Sequence, residues 1–225
     1  NDDELGKKYE EGLRKENVNY LYKKKSEPIP TGSCLILITP DSERTMCAFL
    51  GTAGKINNDD VNDKEIKNAD ITFLEGYLWD EGEPKKAFDK AIMHSNKVAM
   101  TLSDLFCVER HKSHFLDLVK NKLDITFANE QEILSLTNST SFKDVVNFCK
   151  QIKKNIIITR GEKGAISING DEIEYYDPND PEIIPVPSPK PHYTPHNNPH
   201  NDPHNDPHNN PYNSSDGNSP IMINS

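Results

Sequence analysis

Two short runs of this sequence place amides, carboxylates and glycines where phosphate chemistry can use them. Asn129-Glu130-Gln131-Glu132 follows the apolar run 124–128 and opens a helical pattern. A carboxamide and two carboxylates there meet a helix N-terminus, whose free backbone donors favour anions or a metal-bound phosphate. Thr159-Arg160-Gly161-Glu162-Lys163-Gly164 follows the run 155–159, and its two glycines bracket charged residues. Such a turn lets backbone amides approach a phosphate closely. A third turn, Leu102-Ser103-Asp104, follows 97–101. Each also has a purely structural reading: Asn with Glu three positions on is a capping-box variant, glycines end hairpins, and Ser-Asp caps helices.

The elements that must position these turns alternate. Short β-branched or apolar runs occur at 34–39, 44–50, 70–76, 97–103, 124–128, 155–159 and 164–176. Helical patterns at 83–96, 110–122, 130–137 and 140–152 separate several of them. The last of these carries Phe142, Val145, Val146, Phe148 and Cys149 on one broad face, with Ser139 or Ser141 available as its cap. Strands alternating with helices of this length predict crossover connections and a mainly parallel sheet covered on both faces, an α/β fold. Asn169-Gly170-Asp171 between two alternating runs predicts an antiparallel hairpin at one edge. In open sheets of this class ligands sit beyond the carboxyl ends of the strands, where the three turns fall.

Composition narrows the function. A net charge of −10 with no Lys/Arg stripe argues against neutralising many nucleic-acid phosphates, and Lys23-Lys24-Lys25 is the one basic run. The apolar runs are far short of the ~20 residues a membrane span requires, and no secretory leader opens the chain. Cys34, Cys47, Cys107 and Cys149 include no C-x-x-C pair, a reduced, cytoplasmic pattern of small buried hydrophobes. Twelve of the 16 prolines lie beyond residue 177, which divides the chain into a domain at 1–177 and a tail at 178–225. From Pro195 the tail repeats as PHNN, PHND, PHND, PHNN and PYNS, a pattern that predicts a disordered or polyproline-like segment. His196, His200, His204 and His208 could bind a transition metal loosely; a slipped low-complexity repeat is the simpler reading.

Six blocks in order resemble the ribokinase-like, PfkB-type carbohydrate kinases, and most of all their adenosine-kinase branch. They are Thr31-Gly32-Ser33-Cys34; Asp41 to Met46 running into Phe49-Leu50-Gly51; Phe73 to Trp79; Leu102-Ser103-Asp104; Ala128 to Glu132; and Thr159 to Gly164. The resemblance covers roughly residues 1 to 176. It implies a three-layer sandwich and ATP- and magnesium-dependent phosphorylation of a primary hydroxyl on a sugar or nucleoside. Asn129 and Glu132 match the family's N-x-x-E, which positions phosphates through water and magnesium. Thr159, Arg160, Gly161 and Gly164 match the turn lining the ATP site. Arg44 matches an arginine facing the transferred phosphoryl, and Cys34 a strand beside the acceptor pocket. These roles agree with phosphoryl transfer as positioning and charge neutralisation. Glu75, beside Gly76 at a strand end, could reach the same crevice.

The sequence also departs from the family. No Gly-x-Gly-Asp occurs, so the G-A-G-D motif, which supplies the family's general base and anion hole, has no match, and the early Gly-Gly and Asn sugar motif is absent. The chain opens on Asn1 at what looks like a helix, which points to a kinase domain truncated at both ends, with sheet edges left uncovered. Loss of base and anion hole predicts at least ~10² to 10³-fold impairment for each. A complementing polypeptide or a homodimer would be the partner of such a chain. The alternative reading is a non-catalytic nucleotide-binding remnant or interaction protein.

Overall fold

The structure is a computed structural model that describes residues 1–22, 24, 28–41, 44–80, 82–177 and 179. Apart from Asp177 and Asn179, the proline-rich boundary and the histidine repeat lie outside these described residues.

Strong β-formers at 125–129, 155–159 and 165–169 build the centre of a six-stranded sheet. In chain order the elements are α1 (Glu4–Lys15), β1 (Thr31–Ile38), β2 (Arg44–Gly51), α2 (Asp63–Asn68), β3 (Thr72–Glu75), α3 (Glu83–His94), β4 (Val98–Thr101) and α4 (Leu105–Asn121). They continue with β5 (Ile125–Asn129), α5 (Glu130–Thr137), α6 (Phe142–Ile152), β6 (Asn155–Thr159), β7 (Ala165–Asn169) and β8 (Glu172–Tyr176). The sheet runs β3-β4-β5-β6-β7-β8. Its first four strands are parallel and the last two join antiparallel. This is the α/β architecture read from the alternation of patterns, with the hairpin around Gly170 at its edge.

Burial explains the strand patterns. Val98, Ala99 and Met100 are consecutive and all buried, as expected of a strand covered on both faces. Toward the hairpin the period becomes two: Ile156, Ile158, Ile166 and Ile168 face the core while Ile157 and Ser167 are half-buried. Helices bring Val108, Phe115, Val119, Ile133, Leu136, Val145 and Cys149 into the same core.

Two features differ from the pattern reading. Helix α4 starts at Leu105 rather than 110, because Asp104 caps it by accepting from the Phe106 N–H at 2.7 Å. The apolar period restarts near 110 because the backbone leaves helical geometry at His111 (φ −118°, ψ 24°). The short α2, capped by Asn62, carries too little apolar periodicity to be read in advance. Strands β1 and β2 form an antiparallel ribbon of their own, with Cys34 opposite Ala48 and Ile38 opposite Arg44. Helix α1 is tied to the base of that ribbon by Asp3, whose carboxylate accepts from Gly6 N–H, Thr31 N–H and the Thr31 hydroxyl at 2.7–2.8 Å. Among the described residues no helix is long and apolar enough to cross a membrane.

Candidate functional site

Parallel pairing brings the ends of β3, β4, β5 and β6 to one edge of the sheet. Glu75 is level with Thr101, Thr101 with Phe127, and Asn129 with Thr159, which in turn faces Ala165. Helices α4 and α5 begin directly beyond β4 and β5, so two helix N-termini open on this edge.

Asn129 and Glu132 form a closed pair. The Glu132 N–H donates to Asn129 Oδ1 at 2.8 Å, while Asn129 N–H and Nδ2 donate to Glu132 Oε2 and Oε1 at 2.9 and 2.7 Å. The spacing is that of a capping box, which closes the first turn of α5 at this edge. Glu132 is only 4% exposed, and that burial pushes its carboxyl above the usual range. The Asn129 N–H pulls the other way, and the charge on Asp104 adds to the rise.

The ends of β3 and β4 are locked together. A Cβ on Gly76 would lie 2.9 Å from the carbonyl oxygens of both Thr101 and Leu102, so only glycine permits this approach. Ser103 has a left-handed backbone (φ +70°), and its Oγ accepts from the Tyr77 N–H at 3.2 Å. Burial raises the Tyr77 phenol, and the nearby carboxyl groups of Asp104, Glu132 and Glu75 add to that rise. This rim is electronegative, which suits a cation arriving with a phosphate chain better than a bare anion.

The Thr159–Gly164 turn folds back on itself. Arg160 N–H donates to Gly164 O at 2.8 Å and Gly164 N–H to Gly161 O at 3.0 Å, with Gly161 and Gly164 at φ +59° and +77°. Arg160 Nε and Nη2 donate to Glu130 Oε2 and Oε1 at 3.0 and 3.3 Å. A cleft of about 270 Å³ beside this turn is lined by Glu162, Lys163, Ala165, Tyr175, Tyr176 and Asp177.

The residues singled out from sequence therefore divide. Asn129, Glu132, Thr159, Arg160, Gly161 and Gly164 come together at the ends of β5 and β6. Cys34 and Arg44 lie on the ribbon, Cys34 half-buried and Arg44 exposed at the end where residues 39–43 link the two strands. Among the described residues neither is hydrogen-bonded or ion-paired to the strand-end cluster. A cavity of about 330 Å³ also lies apart from that cluster, between α1 and the base of the ribbon, with Thr31, Gly32, Thr52 and Leu78 in its wall. Sequence reasoning missed Tyr77 at the rim and the pairing of Glu130 with Arg160. The second was signalled by opposite charges one position beyond Asn129 and Thr159, once β5 and β6 are known to be neighbours.

A mainly parallel sheet with capped helix N-termini and a glycine turn at its carboxyl edge is the arrangement on which α/β proteins in general can receive phosphate groups. The chain belongs to the pfkB family of carbohydrate kinases, whose family model matches residues 1–183. It is similar to the crystal structure of adenosine kinase from Sinorhizobium meliloti (33% identity, TM-score 0.75), covering 78% of this chain and 55% of that one. It is also similar to a probable sugar kinase from Rhizobium etli CFN 42 (36% identity, TM-score 0.72), with the same coverage. A ribokinase-II-type protein from E. coli, solved in complex with ATP and Mg2+, shares the fold at 15% identity (TM-score 0.68; 78% of this chain, 59% of that one). The chain thus spans little more than half the length of these relatives. None of the curated proteins matches it.

Proposed function

We propose that this chain carries the nucleotide-phosphate side of an ATP- and magnesium-dependent kinase that phosphorylates a primary hydroxyl of a sugar or nucleoside. The observation that carries the reading is the Asn129–Glu132 pair, in which exposed Asn129 holds the buried Glu132 carboxylate, level with the Thr159–Gly164 turn at the mouth of two helix N-termini. Family membership and the names of the two relatives above 30% identity support the acceptor class.

The donor set fits magnesium. Among the described residues no group of three or more His, Cys, Asp or Glu could hold a metal by itself. Magnesium is ordinarily held by one or two carboxylates, waters and substrate phosphates, and Glu132 is a hard oxygen donor whose burial disfavours an uncompensated charge. Magnesium bound there would offset the charge of the phosphate chain. Asn129 keeps the Glu132 carboxylate oriented, the Thr159–Gly164 turn brackets the phosphates, and the helix dipoles favour negative charge between them. Arg44, exposed and unpaired among the described residues, is free to meet the phosphoryl group in transfer, and Cys34 flanks the acceptor. The four free cysteines suit a reducing, cytoplasmic setting.

A second reading rests on one observation: this sequence contains no Gly-x-Gly-Asp. On that reading the chain by itself binds nucleotide without turnover, and a complementing polypeptide of different sequence supplies the proton acceptor. A thermal melt with and without Mg·ATP tests binding, since a ligand that binds only the folded state must raise the midpoint. Phosphoryl transfer to ribose or adenosine, lost in Asn129→Ala, is the result expected of a kinase. A midpoint shift without transfer supports the second reading, and no shift sinks both.

A further inference from the structure

Arg160 stands where the family turn would place a phosphate ligand, yet its guanidinium is already engaged. Its fork pairs at two points with Glu130, at 3.0 and 3.3 Å, and its guanidinium carbon lies 3.7 Å from the centroid of the Phe142 ring. The two charged side chains are only 19% and 26% exposed. Pairing with Arg160 holds the Glu130 carboxyl below its usual range, against a smaller opposing effect of burial. Two-point pairing commits the Nε–Nη2 edge of the guanidinium and the Phe142 ring covers one face, so a phosphate approaching that edge would have to displace the Glu130 carboxylate.

The three partners belong to three separate elements. Arg160 opens the turn after β6, Glu130 is the first residue of α5, and Phe142 the first of α6. Ladder pairing holds Thr159 and Ala165 at the two ends of the turn, while a Cβ on Gly161 would meet no heavy atom within 4 Å, so that side of the tip faces open space. We propose that Arg160 is a positioning residue. It clamps the Thr159–Gly164 turn to the starts of α5 and α6 and so sets the separation between that turn and the Asn129–Glu132 pair. It does not itself bind phosphate. The inference rests on the nucleotide-site reading above and gives that site its spacing device.

The test is a mutant cycle in the full chain: Arg160→Gln, Glu130→Gln, both together, and the charge reversal Glu130→Arg with Arg160→Glu. Two quantities are read, the melting midpoint without nucleotide and the Kd for Mg·ATP. The clamp predicts that either single change weakens Mg·ATP by about tenfold, that the double change is no worse than either, and that charge reversal recovers most of the loss. A loss of a hundredfold or more in Arg160→Gln, with Glu130→Gln unchanged or tighter, would make Arg160 a phosphate ligand and overturn the proposal. Lower midpoints with an unchanged Kd would reduce the pair to a stability element and overturn it too. If the wild-type chain binds no Mg·ATP, the nucleotide-site reading fails, while additive effects on the unliganded midpoint would sink the clamp independently.

Discussion

The six-stranded sheet and the β1–β2 ribbon are built from similar residues and meet opposite fates. In the sheet Ile156, Ile158, Ile166 and Ile168 are wholly buried, whereas Leu35, Leu37, Met46 and Phe49 of the ribbon are each more than half exposed. Both regions pair in continuous registers. The difference is the second layer: α5 and α6 pack on the strands around β6, and among the described residues no helix layer comparably covers the faces of the two-stranded ribbon. Strand-forming residues thus report pairing, while burial depends on what lies over the pair.

The largest test of that contrast is a truncation in the sheet. Ile158→Ala should cost about 2–5 kcal/mol in denaturant unfolding, because no neighbour of a fully buried side chain can fill the space. Asn129→Ala comes next. It removes the cap of α5 and leaves buried Glu132 without its Nδ2 donor, so a loss of about 1–2 kcal/mol should accompany loss of any Mg·ATP-induced shift in the melt.

A third, smaller effect separates two carboxylates by sign. Glu132 has its folded pKa raised, so its charged form is the less stable one in the fold. Glu132→Gln should therefore gain on the wild type as pH rises from the ordinary carboxylate range through that raised value. Asp3 is depressed by hydrogen bonds from Thr31 N–H, Gly6 N–H and the Thr31 hydroxyl. Its contribution is present above the ordinary carboxylate range and is lost as pH falls, so Asp3→Asn should be destabilised at neutral pH and converge on the wild type in acid. Melting midpoints across pH 3 to 8 check both. The smallest effect belongs to the ribbon: Leu37→Ser should change stability by less than about 0.5 kcal/mol in the same unfolding assay. A cost comparable to that of Ile158→Ala would mean that the ribbon face is covered in solution.

Much of the site was legible before the structure. Asn129 and Glu132 are three positions apart, and capping chemistry operates over that distance, so their pairing follows from spacing. The same holds for the glycines of the Thr159–Gly164 turn, whose positive φ values answer to residue type. The clamp was not legible, because Glu130 and Arg160 are 30 positions apart and look like ordinary solvated charges until β5 and β6 are set side by side. Nor was the lock between Gly76, Thr101 and Leu102, which needs two strand ends in contact.

What the sequence determined by itself was local: the strand and helix rhythm, the caps, the hairpin at Gly170 and the order of the strand-end turns. These rest on hydrogen bonds and backbone preferences that span a few residues. The tertiary structure alone decided that Glu132 is buried, that Arg160 is held by Glu130 and Phe142, and that the ribbon keeps its apolar residues exposed. Burial and long-range pairing depend on which elements become neighbours, a choice made by packing of the whole chain and written in no single segment.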